Sequence, residues 1–156
     1  MLKLLTLIVT LLNASAVQAE NPTNPALIAK TMEAATFCVL AAGKSGADRG
    51  RFSAGTEWIA NADKTGFRHA GMPITVTFPA DRDGIARICV VQATLASQDD
   101  QSQVQRAFEV VLKKKPFQQS DSVIWMLNTK TGSRGLQLFP DKISEQPKIR
   151  LIGAAF

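Results

Sequence analysis

Few side chains in this sequence could serve as a nucleophile, a general base or a metal ligand. His69 is the single histidine among 156 residues, so a Ser-His or Cys-His catalytic pair would have to use it. Glu57 and Asp63 could supply the carboxylate of a small hydrolase built on that histidine. No hydrolase or zinc motif surrounds these residues, and we therefore expect no catalytic residue, no metal site and no cofactor. A hydrolase using His69 is the alternative.

The first 19 residues have the three-part pattern of a secretory signal peptide. A positive start at Lys3 precedes an apolar stretch over 4–12, and small and polar residues follow up to Ala19. The apolar stretch is shorter than the ~17 to 25 residues that a membrane-spanning helix needs. The pattern predicts cleavage after Ala19, which leaves a single domain over 20–156 in the periplasm or outside the cell, without stable insertion in a membrane.

Export changes how the two cysteines, Cys38 and Cys89, are interpreted. Each is flanked by apolar residues, which is typical of free buried thiols. In an oxidising compartment, however, a lone pair of cysteines in a small domain most often forms a disulfide. We predict a Cys38–Cys89 disulfide, with two separate buried thiols as the alternative.

Hydrophobic spacing predicts two helices and a set of strands in the mature chain. One helix begins at Asn24-Pro25 and ends where Gly43 adopts the left-handed conformation, and a second runs from Ser97 to the lysines at 113–115. Alternating or apolar runs predict strands at 57–60, near Phe67, and at 74–78, 85–95, 122–127, 135–139 and 148–152. No internal repeat is visible. The order of helix, strands, helix, strands predicts an α+β fold in which an antiparallel sheet of about five strands is packed by two helices.

The composition is that of a globular protein, with 46% hydrophobic and 20% charged residues, and it argues against a disordered chain. The formal net charge of +5 comes largely from basic residues between Lys113 and Arg150. An anionic partner would suit them, but the three lysines at 113–115 could equally compensate the negative end of the preceding helix dipole. No basic stretch is interleaved with aromatic residues, so nucleic acid is not expected as a partner.

The glycine-rich segment over 43–72 is the surface that we predict to carry recognition, because loops on a rigid scaffold often do so. Its candidate binding residues are Arg49, Arg51, Trp58 and Arg68. A partly exposed Trp58 could anchor a partner, although a large aromatic side chain more often packs in the core.

Together these features favour a small exported binding protein without enzymatic activity. We expect an accessory, inhibitor or immunity type of module that contacts another envelope or secreted protein. The alternatives are the hydrolase described above and a small-ligand carrier or sensor with a pocket between helix and sheet.

Overall fold

The computed structural model describes residues 23–141 and 146–156, so the predicted signal peptide lies outside the described residues. The described chain contains three helices and eight strands. The helices are α1 (Pro25–Ala41), α2 (Gly50–Ser53) and α3 (Gln98–Leu112). The strands are β1 (Trp58–Ala60), β2 (Gly66–His69), β3 (Ile74–Thr77), β4 (Cys89–Thr94), β5 (Phe117–Gln119), β6 (Ser122–Thr129), β7 (Gly132–Pro140) and β8 (Lys148–Ala155).

The prediction of a sheet of about five strands packed by two helices is wrong. The described strands form one eight-stranded antiparallel sheet, and three helices accompany it. Of the eight described strands, β5 alone lies where the sequence predicted no strand, and it has three residues. Segments of that length cannot show a clear two-residue alternation. All three side chains of β5 are exposed, so no apolar pattern marks that strand.

The two halves of the sheet have the same topology. The strand order is β1-β2-β3-β4-β8-β7-β6-β5, and every neighbouring pair is antiparallel. α1 precedes the consecutive strands β1 to β4, and α3 precedes β5 to β8, while α2 is an addition to the first half. The last strand of each half, β4 or β8, pairs with the other at the centre of the sheet. The two halves therefore share the order of one helix followed by four consecutive antiparallel strands.

All three helices lie on the same face of the sheet. One row of directly opposite residues on this face crosses β4, β8, β7 and β6, and it consists of Cys89, Gly153, Leu136 and Trp125. α1 reaches this row through the disulfide of Cys38, and α3 reaches it through Phe108, whose ring centroid lies 5.7 Å from that of Trp125. α2 covers the β1–β3 end of the same face, where Phe52 stacks on Phe67 at 5.8 Å.

α1 is held against the centre of the sheet by a covalent bond and a close backbone contact. The predicted disulfide between Cys38 and Cys89 is confirmed, and both residues are fully buried. A Cβ atom on Gly153 would lie 2.7 Å from the carbonyl of Cys38 and from the amide nitrogen of Val39. No larger residue fits there unless the helix moves. Small buried residues on α1 allow this approach: Ala34, Ala35, Cys38 and Ala41.

The C-terminal end of α1 is stabilised by an arginine from the other half of the sheet. The Arg134 guanidinium on β7 donates hydrogen bonds to the carbonyls of Val39, at 3.0 Å, and of Ala42. A cation there compensates the negative end of the helix dipole. The prediction that Gly43 ends the helix in a left-handed conformation is wrong, because Gly43 does not have a positive φ. The C-cap is Ala42, whose backbone is extended, with φ −58° and ψ 138°. Gly43 is needed for another reason, since a Cβ atom there would collide with the carbonyl oxygen of Gly46.

Arg87 joins the loop after α1 to the connection between β3 and β4. Its guanidinium pairs with the carboxylates of Asp81, at 3.0 Å, and Asp83, at 2.5 Å, and its Nε donates to the carbonyl of Lys44 at 2.8 Å. The hydrogen bonds from Arg87, together with one from the backbone amide of Ile85, lower the pKa of the Asp83 carboxyl to about 2. The ion pair therefore persists at all but strongly acidic pH.

Replacing Gly153 by alanine tests the contact between α1 and β8. We expect Gly153→Ala to lower the free energy of unfolding by about 3 kcal/mol, because the new methyl group forces the two backbones apart. Gly55→Ala is the control, since nothing lies within 4 Å of its position. That change should alter the free energy by less than about 0.5 kcal/mol. If urea denaturation gave the same loss in the free energy of unfolding for both substitutions, the close contact between α1 and β8 would be contradicted.

The disulfide joins residues separated by 51 positions in the sequence. On the chain-entropy estimate, a cross-link of this span stabilises the folded state by about 4 kcal/mol. The double variant Cys38→Ala with Cys89→Ala should lose about that amount in urea denaturation. Dithiothreitol should destabilise the natural protein and leave the variant unchanged. A loss below about 1 kcal/mol would show that the cross-link contributes little.

The Arg87 contact can be followed through the titration of its partner. Carbon-detected NMR should give the Asp83 carboxyl an apparent pKa of about 2, and Arg87→Gln should raise it towards the ordinary value of 3.8. The stabilisation from this contact is present above that ordinary value and is lost as the pH falls through the folded-state pKa. Arg82→Gln changes a neighbouring arginine and serves as the control. An Asp83 titration that is the same in both variants would refute the contact.

Candidate functional site

The face of the sheet opposite α1, α2 and α3 is covered by no helix of the described chain. Strand alternation points every second side chain to this side, and antiparallel pairing aligns those side chains in rows. One row consists of Ile59, Arg68, Thr75, Gln92, Arg150 and Phe139. The next consists of Thr77, Val90, Ile152, Gln137, Ile124 and Phe117. We call this surface the open face.

The open face carries positive charge without a compensating carboxylate on any strand. None of the eight described strands contains Asp or Glu. Three strand residues on the open face are basic: Arg68 on β2, and Lys148 and Arg150 on β8. The ion pairs found within the described residues involve none of them. The strands therefore make the open face electropositive.

An aromatic ring positions Arg150. Its guanidinium carbon lies 4.5 Å from the ring centroid of Phe139, the residue directly opposite on β7. Stacking on a ring restrains the long side chain and leaves the N–H groups at the guanidinium edge available to a partner. Arg150 therefore loses less conformational entropy on binding a carboxylate or a phosphate than a freely moving surface arginine would lose.

A cleft of about 670 Å³ opens beside Arg150. Its walls include the open-face residues Thr75, Gln92, Thr94 and Lys148, together with Asp121 and Asp141 from connections between strands. The two carboxylates give this part of the open face both signs of charge. A second cleft, between α3 and the strands β5 to β7, measures about 240 Å³, less than the roughly 300 to 1,000 Å³ of usual ligand pockets. A carrier site between helix and sheet stays an untested alternative.

The β5–β7 end of the open face is apolar. Phe117, Met126 and Phe156 are 67%, 37% and 56% exposed. The Phe156 ring rests on Gly135, where a Cβ atom would lie 2.8 Å from Cε2 of that ring and 3.8 Å from the sulfur of Met126. Glycine at this position thus leaves room for an aromatic side chain on the sheet. The open face combines an apolar end with cations nearer its centre.

The structure places the sequence-predicted binding residues on both faces of the sheet. Trp58 is 7% exposed and packs edge-on against Phe52, on the side of the helices. Arg49 and Arg51 lie on the same side, each with its guanidinium near a phenylalanine ring. Arg68 lies on the open face, because it alternates with strand residues that point to the core. The four side chains do not share one surface, and their joint binding role stays a prediction.

His69 packs on the core side of β1 and β2. Its ring centroid lies 5.2 Å from that of Trp58, and its Nδ1 accepts a hydrogen bond from the amide nitrogen of Gly71 at 3.1 Å. That bond places the proton of the neutral ring on Nε2, which is buried and has no hydrogen-bond partner in the described chain. No group of three or more potential metal ligands occurs among the described residues. In this structure His69 serves as a packing partner of Trp58.

The two carboxylates predicted to work with His69 are engaged elsewhere. The Glu57 carboxylate binds the ammonium group of Lys30 at 2.9 Å, and this hydrogen bond lowers the pKa of Glu57. Asp63 accepts hydrogen bonds from the backbone amide and the hydroxyl of Thr65. Neither carboxylate is hydrogen-bonded to His69 in the described structure, although an electrostatic interaction with His69 also lowers the pKa of Glu57. The hydrolase alternative stays an untested prediction.

No family model, curated protein or solved structure matches the chain. None of the helices within the described ranges is long and apolar enough to cross a membrane.

Sequence reasoning missed the residues at the centre of the open face. A signal for two of them existed, since Lys148 and Arg150 alternate with Ile149 and Leu151, as expected of a strand with one buried and one exposed face. The contact of Arg150 with Phe139 could not be foreseen, because it depends on the register between β7 and β8.

Proposed function

We propose that the protein is a non-enzymatic binding protein whose recognition surface is the open face. Its partner is another envelope or secreted protein, and the contacting surface of that partner combines acidic and apolar groups. One observation carries the proposal: Arg68, Lys148 and Arg150, which form no ion pair with another described residue, lie on a sheet face that no described helix covers. Such a face attracts carboxylates and has room to receive them.

A sheet face that merely contacts water has a different composition. Antiparallel sheets often leave one face solvated, and the side chains there are then polar. The open face instead exposes Phe117, Met126 and Phe156, and it places Arg150 against the ring of Phe139. Aromatic residues, methionine and arginine are the types enriched at protein interfaces. This composition favours contact with a protein.

The dimensions of the open face also suit a protein partner. Eight strands with about 4.8 Å between neighbours span about 34 Å. At about 3.4 Å per residue, the three longest strands reach about 27 to 31 Å and the other strands are shorter. A mean strand length of about 20 Å then gives an area of about 700 Å². Each partner in a stable complex typically buries about 800 Å². The open face can therefore hold most of an interface rather than a small contact.

The disulfide supports the predicted location. Disulfides persist in oxidising compartments such as the periplasm and the cell exterior, and the Cys38–Cys89 bond is fully buried. We place the binding protein in one of these compartments, where a small cross-linked domain meets other envelope or secreted proteins.

Reversing charges on the open face should weaken partner binding. The experiment uses protein that is exported and purified with its disulfide intact. Capture from an envelope extract and mass spectrometry identify the partner, and calorimetric titration of the purified partner gives the affinity. Arg68→Glu with Arg150→Glu should reduce that affinity at least about tenfold, because two attractive contacts become repulsive.

The matched control reverses two exposed arginines on the helix side, Arg51→Glu with Arg106→Glu. It changes the net charge equally and should leave the affinity within about twofold of the natural value. Loss of binding in the control but not in the open-face variant would move the interface to the segment around Arg51 and Trp58, and would overturn the proposal. Thermal unfolding of both variants verifies that each is folded.

A further inference from the structure

The C-terminal end of α3 combines exposed apolar side chains with a run of lysines. Val110 and Val111 are 75% and 66% exposed, more than any other valine, leucine or isoleucine in the described chain. Three lysines follow at 113–115. Phe117, which is 67% exposed, lies at the corner where this segment meets the open face. We call Val110, Val111, Lys113, Lys114 and Lys115 the α3 tip.

The helix dipole offsets only part of the charge of these three lysines, because the C-terminal end of a helix carries the equivalent of about half a negative charge. Lys113 is the left-handed C-cap of α3, and the Lys114 ammonium donates to the carbonyl of Met126 on β6 at 3.1 Å rather than to a carbonyl of α3. Lys113 and Lys115 form no ion pair within the described residues. Glu109 is the one acidic residue between positions 101 and 120, and it is hydrogen-bonded to a glutamine of the preceding turn. Three lysines against one glutamate leave the tip with a net positive charge.

Two contacts with β6 fix the tip on the sheet. The indole nitrogen of Trp125 donates to the carbonyl of Lys114 at 3.2 Å, and the Lys114 side chain binds the carbonyl of the next residue, Met126. Pro116 further restrains the segment, because its ring fixes one backbone dihedral. A surface that is already ordered loses little conformational entropy when it binds.

We propose that the α3 tip is a contact site for an anionic membrane surface. The two valines enter the headgroup region, and the lysines interact with lipid phosphates. Lysine is depleted at protein interfaces, whereas basic residues beside exposed apolar side chains are typical of peripheral membrane sites. An anionic lipid surface therefore fits the tip better than an acidic protein does. This site acts independently of the open face.

Vesicle flotation of the disulfide-bonded protein tests the site. The protein should bind vesicles of phosphatidylglycerol mixed equally with phosphatidylcholine, and should not bind vesicles of phosphatidylcholine alone. Raising NaCl from about 0.1 M to about 0.5 M should weaken binding at least about tenfold. Lys113→Gln, Lys114→Gln and Lys115→Gln together should also weaken it at least about tenfold, because each lysine near an anionic surface contributes about fivefold. Val110→Ser with Val111→Ser should weaken it at least about fivefold.

Matched controls separate the tip from overall charge and hydrophobicity. Lys44→Gln, Lys64→Gln and Arg82→Gln remove the same charge elsewhere, and Leu40→Ser with Ile85→Ser removes exposed apolar groups elsewhere. Both controls should bind within about twofold of the natural protein. Failure of the natural protein to bind, equal losses in the tip and control variants, or unchanged binding of the valine variant would each overturn the inference. Circular dichroism melting verifies folding.

Discussion

The contact between α1 and the two strands at the centre of the sheet determines the rest of the structure. The disulfide attaches Cys38 to β4, and Gly153 lets the helix backbone rest on β8. These two strands are also where the halves of the sheet meet, so one helix holds the junction together. α2 and α3 pack on the same face. The opposite face is therefore covered by no helix of the described chain.

Periodicity and residue type predicted the elements that are long or chemically distinctive. The helices after Asn24 and Ser97 are found where apolar spacing and capping residues placed them, and the disulfide followed from the presence of only two cysteines. β5 was missed because three exposed residues show no alternation. The end of α1 was predicted incorrectly because its stabilising group, Arg134, lies 92 residues from Ala42 in the sequence.

The proposed binding surface was hard to predict from the sequence, because neighbouring residues of a strand point to opposite faces. Trp58 and Arg68 belong to the same glycine-rich segment, yet one lies in the core and the other on the open face. The alternation of Lys148 and Arg150 with apolar residues identifies a two-faced strand. It does not identify the residues beside them, which are set by register with β4 and β7.

The outermost strands of the sheet, β1 and β5, have only three residues each. A long exposed edge offers a ladder of unpaired N–H and C=O groups on which another chain can add as a further strand, and this is a common route to amyloid-like assembly. Edges this short offer too few groups to template such growth. The short outer strands thus protect both edges of the described sheet against the addition of further chains.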